Sequence, residues 1–312
     1  MTVSGQDITV LIPTRDRRDL VLNAIKTVLA QTIAPAEILV VDDGSSDGTA
    51  EAVMALTPTE LQIRVIPGPA RGVGPARNQG LGACKTPLVC FLDSDDELKP
   101  EALEIALNTW KASDTMLIFS AEQFPGSPKL LTKKTPPNLF SLSGLLGDDS
   151  DFNPPWGLAR VDHLQAIGAF TDELPCAVDY DLLLRLCAEG RTVRCLRTPV
   201  YRYRREPNAE TVSSNQVRNY LARLQALSRL EDNYCDLVRS HQVCFNQIRV
   251  RFLLRFCAAQ QATRRRLSPA EKSFLRTRAR EALLLQPLRL RVTINYLSCM
   301  LTTWLSCTRQ AQ

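Results

Sequence analysis

PLVCFLDSDD, residues 87–96, is an apolar run that ends in three aspartates and a serine. Its length and its bulky side chains predict a buried strand that stops at Asp93. EILVV at 37–41 has the same organisation, because Asp42 and Asp43 follow it directly. Ligands of open α/β sheets bind beyond the carboxyl ends of the strands, so we expect the two acidic clusters to share one crevice.

Strand and helix signals alternate through the first hundred residues. ITVLI at 8–12 predicts another strand, and residues 19–30 follow it with helical spacing of apolar side chains. Further segments are predicted as helices at 49–56 and 77–83 and as a strand at 62–66. This alternation predicts the α/β class, with a parallel sheet covered by helices on both faces.

The later part of the chain is first irregular and then helical. Its predicted elements are a strand at 116–119, a Pro-rich loop at 125–137, a helix at 179–188, and short strands at 193–196 and 199–203. From residue 215 onward the pattern is helical, with few glycines or prolines. We therefore predict a domain of residues 1–214 and a helical region of residues 215–312.

Charge is distributed unevenly between these two parts. Residues 1–214 hold 21 Lys and Arg against 28 Asp and Glu, whereas residues 215–312 hold 17 against 5. A basic segment of this kind can face an anionic membrane surface or nucleic acid. The whole chain is 45% hydrophobic and 23% charged, which excludes a disordered or fibrous protein.

Cysteine usage and the N-terminus indicate a reduced, cytosolic protein. The ten cysteines include no Cys-x-x-Cys pair, so zinc sites and disulfide frameworks are disfavoured and most thiols are expected in the core. The first twenty residues have no basic segment leading into a long apolar run. We therefore expect no secretory signal and a cytoplasmic location.

The Asp93-Ser94-Asp95-Asp96 turn has the residue types of a divalent-cation site. Mg²⁺ and Mn²⁺ typically bind one or two carboxylates together with substrate phosphates. The alternative is an acidic turn in which Ser94 or Asp96 caps the helix predicted at 101–110. A glycine-containing segment, GVGPARNQG at 72–80, lies upstream and offers Arg77 as a phosphate partner. It lacks the spacing of a P-loop or of a dinucleotide fingerprint.

Four ordered motifs resemble the family-2 glycosyltransferases of the GT-A fold, an inverting group that uses nucleotide-diphosphate sugars. The motifs are IPTRD at 12–16, VDDGSSDGT at 41–49, ARNQG at 76–80 and FLDSDD at 91–96. The resemblance covers residues 7–205, and it implies a nucleotide-binding half of about 1–111 and an acceptor-side half of about 112–214.

The resemblance also implies roles on the donor side. The side chains expected to contact the nucleotide sugar are Pro13, Thr14, Arg15, Asp16, Asp42, Asp43, Arg77, Asp93 and Ser94. Among them, Asp43 would hydrogen-bond the base, usually uracil in this family, and Asp93 would lie on the ribose side. Asp95, with Asp93, would bind Mn²⁺ or Mg²⁺. For Asp42 the alternative is a simple turn residue.

On the acceptor side, Asp179 is the expected catalytic base. The family usually has Glu-Asp before a Leu-rich helix, and here Val178 replaces the Glu while the Asp is kept. Displacement at an anomeric carbon needs a base that takes the acceptor hydroxyl proton. The alternative for Asp179 is a helix N-cap. Asp181 is a second acceptor-side candidate, and its alternative is a surface or hinge ion pair with Arg185.

Two further residues are acceptor-side candidates. Trp156 could stack on a sugar, and a buried core position is its alternative. Arg204 stands where relatives have a His, so it could contact diphosphate but could not act as a metal ligand.

The basic helical region is expected to lie peripherally on the cytoplasmic face of the inner membrane. RVRFLLRF at 249–256 and Arg264 to Arg266 suggest helices with cationic edges. Residues 292–308 are uncharged but too short and too polar for a confident membrane span. The alternative is a solvated helical bundle, and nucleic-acid binding is disfavoured because no known module is present.

The sequence therefore predicts an inverting transferase that moves a sugar, with UDP-sugars favoured, to a hydroxyl of a carbohydrate or lipid-linked acceptor. Surface polysaccharide or glycolipid assembly is the role that the resemblance implies. The rival reading is a catalytically silent nucleotide-sugar-binding or scaffold protein of the same fold, which Val178 and Arg204 keep open. A nucleotidyltransferase is disfavoured because Pro13-Thr14-Arg15 stands where a glycine-rich loop would follow the first strand.

Overall fold

The computed structural model describes residues 3–56, 61–126, 129–130, 138–147, 156–205, 215–263 and 267–284. By its internal contacts the chain divides into two compact units, Met1–Thr211 and Val212–Gln312. The division of the first unit into nucleotide and acceptor halves stays a prediction.

The first unit is built from short strands and helices. Its strands are β1 (Ile8–Thr14), β2 (Glu37–Asp42), β3 (Gln62–Pro67), β4 (Leu88–Phe91), β5 (Glu97–Leu98), β6 (Met116–Phe124), β7 (Lys129–Leu130), β8 (Gly157–Arg160) and β9 (Val193–Arg204). Its helices are α1 (Arg18–Leu29), α2 (Thr49–Met54), α3 (Val73–Ala83), α4 (Ala102–Thr109), α5 (Leu142–Leu145), α6 (Val161–Ala166) and α7 (Val178–Ala188).

The described strands form one mixed sheet in the order β3-β2-β1-β4-β8-β6-β9-β5, with β7 paired to β6. The parallel prediction is confirmed for β1 to β4. It does not extend further, because β8 runs antiparallel to both β4 and β6. Because β8 is antiparallel to both of its neighbours, β6 runs parallel to β4, and β9 runs parallel to β6. The carboxyl ends of β1, β2, β4, β6 and β9 therefore point to the same side of the sheet.

Helices cover both faces of the parallel strands. Alternating β1 side chains Ile8, Val10 and Ile12 belong to a buried cluster that includes apolar residues of α1 and α4. On the other face, α3 approaches so closely that a Cβ on Gly80 would lie 2.3 Å from the Leu11 side chain. Glycine is needed at this helix position because any larger residue would push α3 away from the sheet.

Four strands differ from the sequence prediction, and one of them, β7, lies in the Pro-rich segment predicted as a loop at 125–137. β8 was not predicted, because four residues without clear alternation give little signal on their own. β5 is only two residues long and pairs with β9 at Tyr201 and Arg202. The two short strands predicted at 193–196 and 199–203 are one strand, β9, whose register against β6 shifts near Ser120.

The second unit is helical in the part that the structure describes. It contains α8 (Gln216–Asn233), α9 (Cys235–Ser240), α10 (Gln242–Thr263) and α11 (Pro269–Leu284). The predicted cationic edge is wrong at Arg249, whose buried side chain pairs with Glu231 at 2.6 Å and packs on Phe245. Because the Arg249 charge is paired inside the unit, it is not available at an exposed surface.

Among the described residues, no helix combines the length and apolar character that crossing a membrane requires. The uncharged segment at 292–308 and Arg264 to Arg266 lie outside the described residues. Of the cysteines that the structure describes, Cys90, Cys176 and Cys195 are buried, Cys235 is exposed, and four are half-buried. Burial raises the pKa of Cys90 to about 12, so this thiol is unreactive at neutral pH.

Candidate functional site

Both acidic clusters lie at the same edge of the sheet, on either side of β1. Asp42 ends β2 opposite Thr14, and the Asp43 N–H donates to the Thr14 carbonyl at 2.8 Å. On the other side, the Leu92 N–H donates to the Leu11 carbonyl at 3.1 Å, and the acidic turn begins at the next residue. Neighbouring strands are about 4.8 Å apart, so two strand spacings separate the clusters by roughly 10 Å. The structure therefore places both acidic clusters at one edge of the sheet, and the shared crevice stays a prediction.

Hydrogen bonds to aspartates tie the turn after β1 to the turn after β2. The Asp42 carboxylate accepts from the backbone N–H of Ser45 at 2.9 Å and from its hydroxyl at 2.5 Å. The Asp16 carboxylate accepts from the backbone N–H of Ser46 at 2.7 Å. Asp16 has a φ of 50°, a left-handed conformation that aspartate tolerates better than most residues. Both residues shape the cleft wall, and their contact with a donor stays a prediction.

The remaining predicted residues of the first turn differ in exposure. Pro13 and Thr14 are buried at the end of β1, and the Thr14 hydroxyl has no hydrogen-bond partner within the described residues. Arg15 is exposed and lies 3.8 Å from the Asp16 carboxylate. Arg15 is therefore free to reach a ligand, whereas Pro13 can offer little more than its backbone carbonyl.

Asp43 is only 4% exposed, yet one of its carboxylate oxygens is unused. Oδ2 accepts the backbone N–H of Gly72 at 2.7 Å, while Oδ1 has no partner among the described residues. A Cβ on Gly68 would lie 2.9 Å from this Oδ1, so glycine keeps the space beside it open. A buried acceptor without a donor is costly in a folded protein, and a ligand N–H would satisfy it.

Strand β9 fixes the acidic turn through Asp96. The buried Asp96 carboxylate accepts the Tyr201 hydroxyl at 2.8 Å and the backbone N–H of Arg204 at 2.8 Å. The Tyr201 hydroxyl in turn accepts the backbone N–H of Asp93 at 3.2 Å. Burial raises the pKa of Asp96 well above its ordinary value, and the charges of Asp93 and Asp95 add to the rise. Asp96 thus anchors the turn from within, and the alternative of a helix cap is wrong.

Arg204 also contacts the acidic turn. Its Nε donates to the Asp95 carbonyl at 3.0 Å, and its Nη2 lies 3.8 Å from Glu97. In this position the guanidinium orients the backbone of the turn. A contact between Arg204 and a diphosphate stays a prediction.

Each of the two predicted metal-ligand carboxylates has an arginine partner. Arg77 donates to Asp93 at 2.5 Å, and Arg17 lies 2.8 Å from Asp95. Burial raises the pKa of Asp95 above its ordinary value, Arg17 opposes the rise, and Asp93 adds to it. Ser94 is buried between the two acids, with its hydroxyl 3.5 Å from Arg17. Neither arginine partner could be read from the motif alone.

Arg77 and Trp156 have different positions from those predicted. Arg77 is 3% exposed, and its guanidinium lies 4.1 Å from the Trp156 ring centroid. Trp156 is 5% exposed and packs on Phe91 and Phe170 with centroids 5.5 and 5.3 Å away. The prediction of Trp156 as a stacking platform is wrong, because its faces are covered by Arg77 and two phenyl rings. Arg77 positions Asp93 through this buried guanidinium, and its contact with a donor phosphate stays a prediction.

Asp179 lies in the first turn of α7. The N-cap is Ala177, with a φ of 55°, so the alternative of Asp179 as an N-cap is wrong. Asp179 is half-buried, and its carboxylate has no hydrogen bond or ion pair within the part of the chain that the structure describes. A Cβ on Gly74, near the start of α3, would lie 3.6 Å from Val178. The beginning of α7 therefore adjoins the loop that carries Gly72, the partner of Asp43.

Asp181 is part of the packing of α7. It is 2% exposed and lies 2.8 Å from Arg185, whose guanidinium also donates to the Ile167 and Ala169 carbonyls. The ion pair with Arg185 is present, but it is buried rather than at the surface. A carboxylate held in this way is not available to an acceptor, so that prediction for Asp181 is wrong.

The donor and acceptor segments are joined by an asparagine that the sequence analysis did not single out. The Asn78 side chain donates to the Phe170 carbonyl at 2.7 Å and accepts the Phe170 N–H at 2.9 Å. Both bonds use the backbone of a residue 92 positions away, so no local pattern could reveal them. This pair holds α3 against the segment that leads into α7.

The acidic turn fits a divalent cation that takes its remaining ligands from substrate phosphates and water. Within the described ranges, no group of three or more Asp, Glu, His or Cys side chains forms a protein-only metal cage. Mg²⁺ and Mn²⁺ are usually held by one or two carboxylates, substrate phosphates and water. Asp95, which is 24% exposed, and Asp93 beside it supply hard oxygen ligands of the required type.

The mixed sheet, with acidic turns after β2 and β4, has the α/β arrangement of the GT-A fold, which its structural neighbours share. Residues 9–161 match the family model described as glycosyl transferase family 2. Residues 9–161 therefore form a family-2 glycosyltransferase domain.

Curated relatives match part of the chain. The chain is 35% identical over 97 residues to the succinoglycan biosynthesis protein ExoO of Rhizobium meliloti, covering 31% of this chain and 28% of that protein. It is 29% identical over 185 residues to the chondroitin synthase of Escherichia coli, covering 59% and 27%. The match to the chondroitin synthase of Pasteurella multocida is 25% over 186 residues, covering 59% and 19%. The chain thus spans between a fifth and a third of these relatives.

Solved structures share the fold at low identity. Residues 1–349 of S. aureus TarS, in a complex with UDP-GlcNAc, match with a TM-score of 0.69 and 21% identity, covering 98% of this chain and 92% of that chain. The mannosyltransferase PcManGT of Pyrobaculum calidifontis, in complex with GDP-Man and Mn²⁺, matches with a TM-score of 0.56 and 19% identity, covering 95% and 86%.

Proposed function

We propose that this chain transfers a sugar from a nucleotide-diphosphate donor to a hydroxyl acceptor with inversion at the anomeric carbon. The supporting observation is that Asp43 and the Asp93–Asp96 turn lie at the same edge of the sheet, on either side of β1. One side offers an acceptor oxygen for a base, and the other offers carboxylates for a cation on the diphosphate. The spacing of roughly 10 Å, set by two strands, suits a nucleoside diphosphate laid across the edge.

UDP-sugars are the favoured donors. Uracil carries one ring N–H, and the unpartnered Oδ1 of Asp43 is an acceptor suited to it. The structures of TarS contain UDP or UDP-GlcNAc, and PcManGT contains GDP-Man. These ligands support a nucleotide sugar, and the unpartnered oxygen of Asp43 suits a base with a ring N–H, such as uracil.

Asp95 and Asp93 would hold the divalent cation, Mn²⁺ or Mg²⁺. When bound, such a cation neutralises charge on the diphosphate leaving group. The chain's own residues set the conditions for this binding: Tyr201 and Arg204 hold the turn, and Arg77 fixes Asp93. The PcManGT complex with Mn²⁺ supports the assignment of metal type.

Asp179 would take the proton of the acceptor hydroxyl. Its carboxylate has no partner within the described residues, and the N-terminus of α7 stabilises a negative charge in the first turn. As the hydroxyl oxygen attacks the anomeric carbon, its proton passes to Asp179 and the bond to the diphosphate breaks on the opposite face. A single displacement of this kind inverts the configuration.

The acceptor is proposed to be a carbohydrate or a lipid-linked saccharide of a surface polysaccharide or glycolipid. The matches to a succinoglycan biosynthesis protein and to chondroitin synthases support polysaccharide assembly. They cover too little of those proteins to assign a sugar or a linkage.

Turnover is the direct test of the proposed function. Purified protein with Mn²⁺ is incubated with a panel of UDP- and GDP-sugars and saccharide acceptors, and release of nucleoside diphosphate is measured. We expect release above the level without acceptor for at least one UDP-sugar. Absence of release with every donor and acceptor, despite donor binding measured by thermal shift, would support a silent sugar-nucleotide-binding protein instead.

We further propose that the second unit places the protein peripherally on the cytoplasmic face of the membrane. The excess of 17 Lys and Arg over 5 Asp and Glu in residues 215–312 supports electrostatic attraction to anionic lipid. In liposome flotation we expect the protein to rise with anionic vesicles and to stay behind with neutral ones.

A double charge reversal on α11 tests whether the second unit is responsible for membrane binding. Lys272→Glu with Arg276→Glu changes two residues four apart on α11 and should reduce flotation by severalfold. Arg18→Glu with Lys26→Glu makes the same change of charge on exposed residues of α1 and serves as the matched control. Equal loss in both variants, or no flotation of the unmodified chain, argues against attachment through the second unit.

A further inference from the structure

The two arginines at the acidic turn differ in how firmly they are held. The Arg77 guanidinium is 3% exposed and packs beside the rings of Trp156 and Phe170, at 4.1 and 5.4 Å from their centroids. Its bond to Asp93 is therefore part of the packed interior. Removing it from Asp93 would require the aromatic cluster to open.

Arg17 is held far more loosely. Its side chain is 36% exposed, and among the described residues it reaches, besides Asp95, only the Ser94 hydroxyl, at 3.5 Å. Its backbone is anchored separately, since the Arg17 N–H donates to the Thr49 hydroxyl at 3.3 Å. The guanidinium can therefore leave Asp95 by rotation of the side chain, while the turn after β1 stays in place.

Without a cation, Asp95 depends on Arg17. The Asp95 side chain is 24% exposed and adjoins the charge of Asp93. A half-buried carboxylate beside a like charge is unfavourable unless a positive group compensates it. Arg17 supplies that positive charge from the solvent side. It contacts the Asp95 carboxylate, the same group that is proposed to bind Mn²⁺ or Mg²⁺.

We propose that Arg17 is an exchangeable counter-charge: it neutralises Asp95 in the ligand-free protein and gives way to the divalent cation when the sugar nucleotide binds. The released guanidinium then pairs with phosphate oxygens of the donor, for which its planar donors are suited. The proposal rests on the proposed function. Its consequence is that the cation alone binds weakly, because it must displace Arg17, whereas cation and donor together bind well.

The test measures Mn²⁺ binding to the full chain without donor, by electron paramagnetic resonance titration of free Mn²⁺. Arg17→Gln should tighten Mn²⁺ binding about two- to fivefold, the range expected from losing a partly exposed competing ion pair. Arg18→Gln removes the same charge from the next residue, which is exposed and not bonded to Asp95. It should change Mn²⁺ affinity by less than about twofold. Unchanged or weaker binding in Arg17→Gln, or equal tightening in both variants, overturns the exchange.

A second arm measures donor affinity at saturating Mn²⁺, by calorimetry with the UDP-sugar that gives turnover. Arg17→Gln should weaken donor binding about fivefold or more, because one charged partner of the phosphates is lost. Unchanged donor affinity overturns the transfer of Arg17 to phosphate. The Mn²⁺ arm uses no donor, so it can fail while nucleoside diphosphate release succeeds. If Mn²⁺ binding tightens but no donor turns over, the proposed function fails and the exchange at Asp95 stands.

Discussion

We expect the Asp95→Ala protein to lose Mn²⁺-dependent donor binding and at least about a hundredfold of its transfer rate. A cation on the leaving diphosphate contributes several kcal/mol to transition-state stabilisation, which corresponds to this loss. Asp95 carries the carboxylate of the turn that can reach the cleft once Arg17 has moved. Calorimetry with the UDP-sugar, in the presence and absence of Mn²⁺, measures the binding, and nucleoside diphosphate release measures the rate.

Asp172→Ala is the matched control for this substitution. Asp172 is an exposed acid that pairs with Arg71 at 3.1 Å, away from the acidic turn. A surface pair of this kind contributes between about 0 and 1 kcal/mol, so donor binding and turnover should stay close to those of the unmodified chain. If Asp95→Ala retains its Mn²⁺-dependent donor affinity, Asp95 is not the metal ligand.

We expect the Asp179→Asn protein to bind donor within about twofold of the unmodified chain and to lose about 10²- to 10⁴-fold of its transfer rate. The amide has the size of the carboxylate but does not accept the acceptor proton. Because Asp179 has no bonded partner within the described residues, the exchange breaks no contact that holds α7. Donor affinity is measured by calorimetry and transfer by product formation at saturating acceptor.

Asp181→Asn makes the same substitution two residues further along α7, and it distinguishes an effect on folding from an effect on catalysis. Asp181 is buried and bonded to Arg185, so the amide weakens a charged hydrogen bond inside the packing, at a cost of about 1–3 kcal/mol. Thermal unfolding should therefore occur at a lower temperature in Asp181→Asn and at an unchanged temperature in Asp179→Asn. Full transfer activity in Asp179→Asn would remove its assignment as the base.

The position of the acids could be predicted from the sequence because it depends on local signals. An apolar run followed at once by Asp residues identifies a strand end at 41–42 and again at 92–93. Parallel strands bring their carboxyl ends to one edge, so two such ends define a cleft without knowledge of the remaining contacts. This logic placed Asp43 and Asp95 correctly on either side of β1.

The partners of those acids could not be predicted, because they come from distant parts of the chain. Tyr201 reaches Asp93 and Asp96 across more than a hundred residues, and Arg17 reaches Asp95 across about eighty. Such contacts depend on how β9 and the turn after β1 are placed by the sheet. A motif shows which residue types are present, and the fold decides which charge neutralises which.

Trp156 and Asp181 show a second limit of the sequence. The sequence around an aromatic or acidic residue does not show whether its side chain faces a ligand or the core. Trp156 packs in an aromatic cluster, and Asp181 pairs with Arg185. Neither side chain is therefore placed to contact the acceptor as predicted. For β8, four residues that pair on both sides in the middle of the sheet carry no periodic signal that distinguishes them from a loop.

The order in which the strands occur along the chain has a consequence for synthesis on the ribosome. β4 is complete at Phe91, but its second neighbour, β8, begins only at Gly157. Because synthesis adds about 5–20 residues per second, the free edge of β4 stays unpaired for roughly 3–13 s in each nascent polypeptide. Tyr201, which braces the acidic turn, emerges later still. We therefore expect newly made chains to need shielding by chaperones during this interval, and the cleft to form only once β9 has left the exit tunnel.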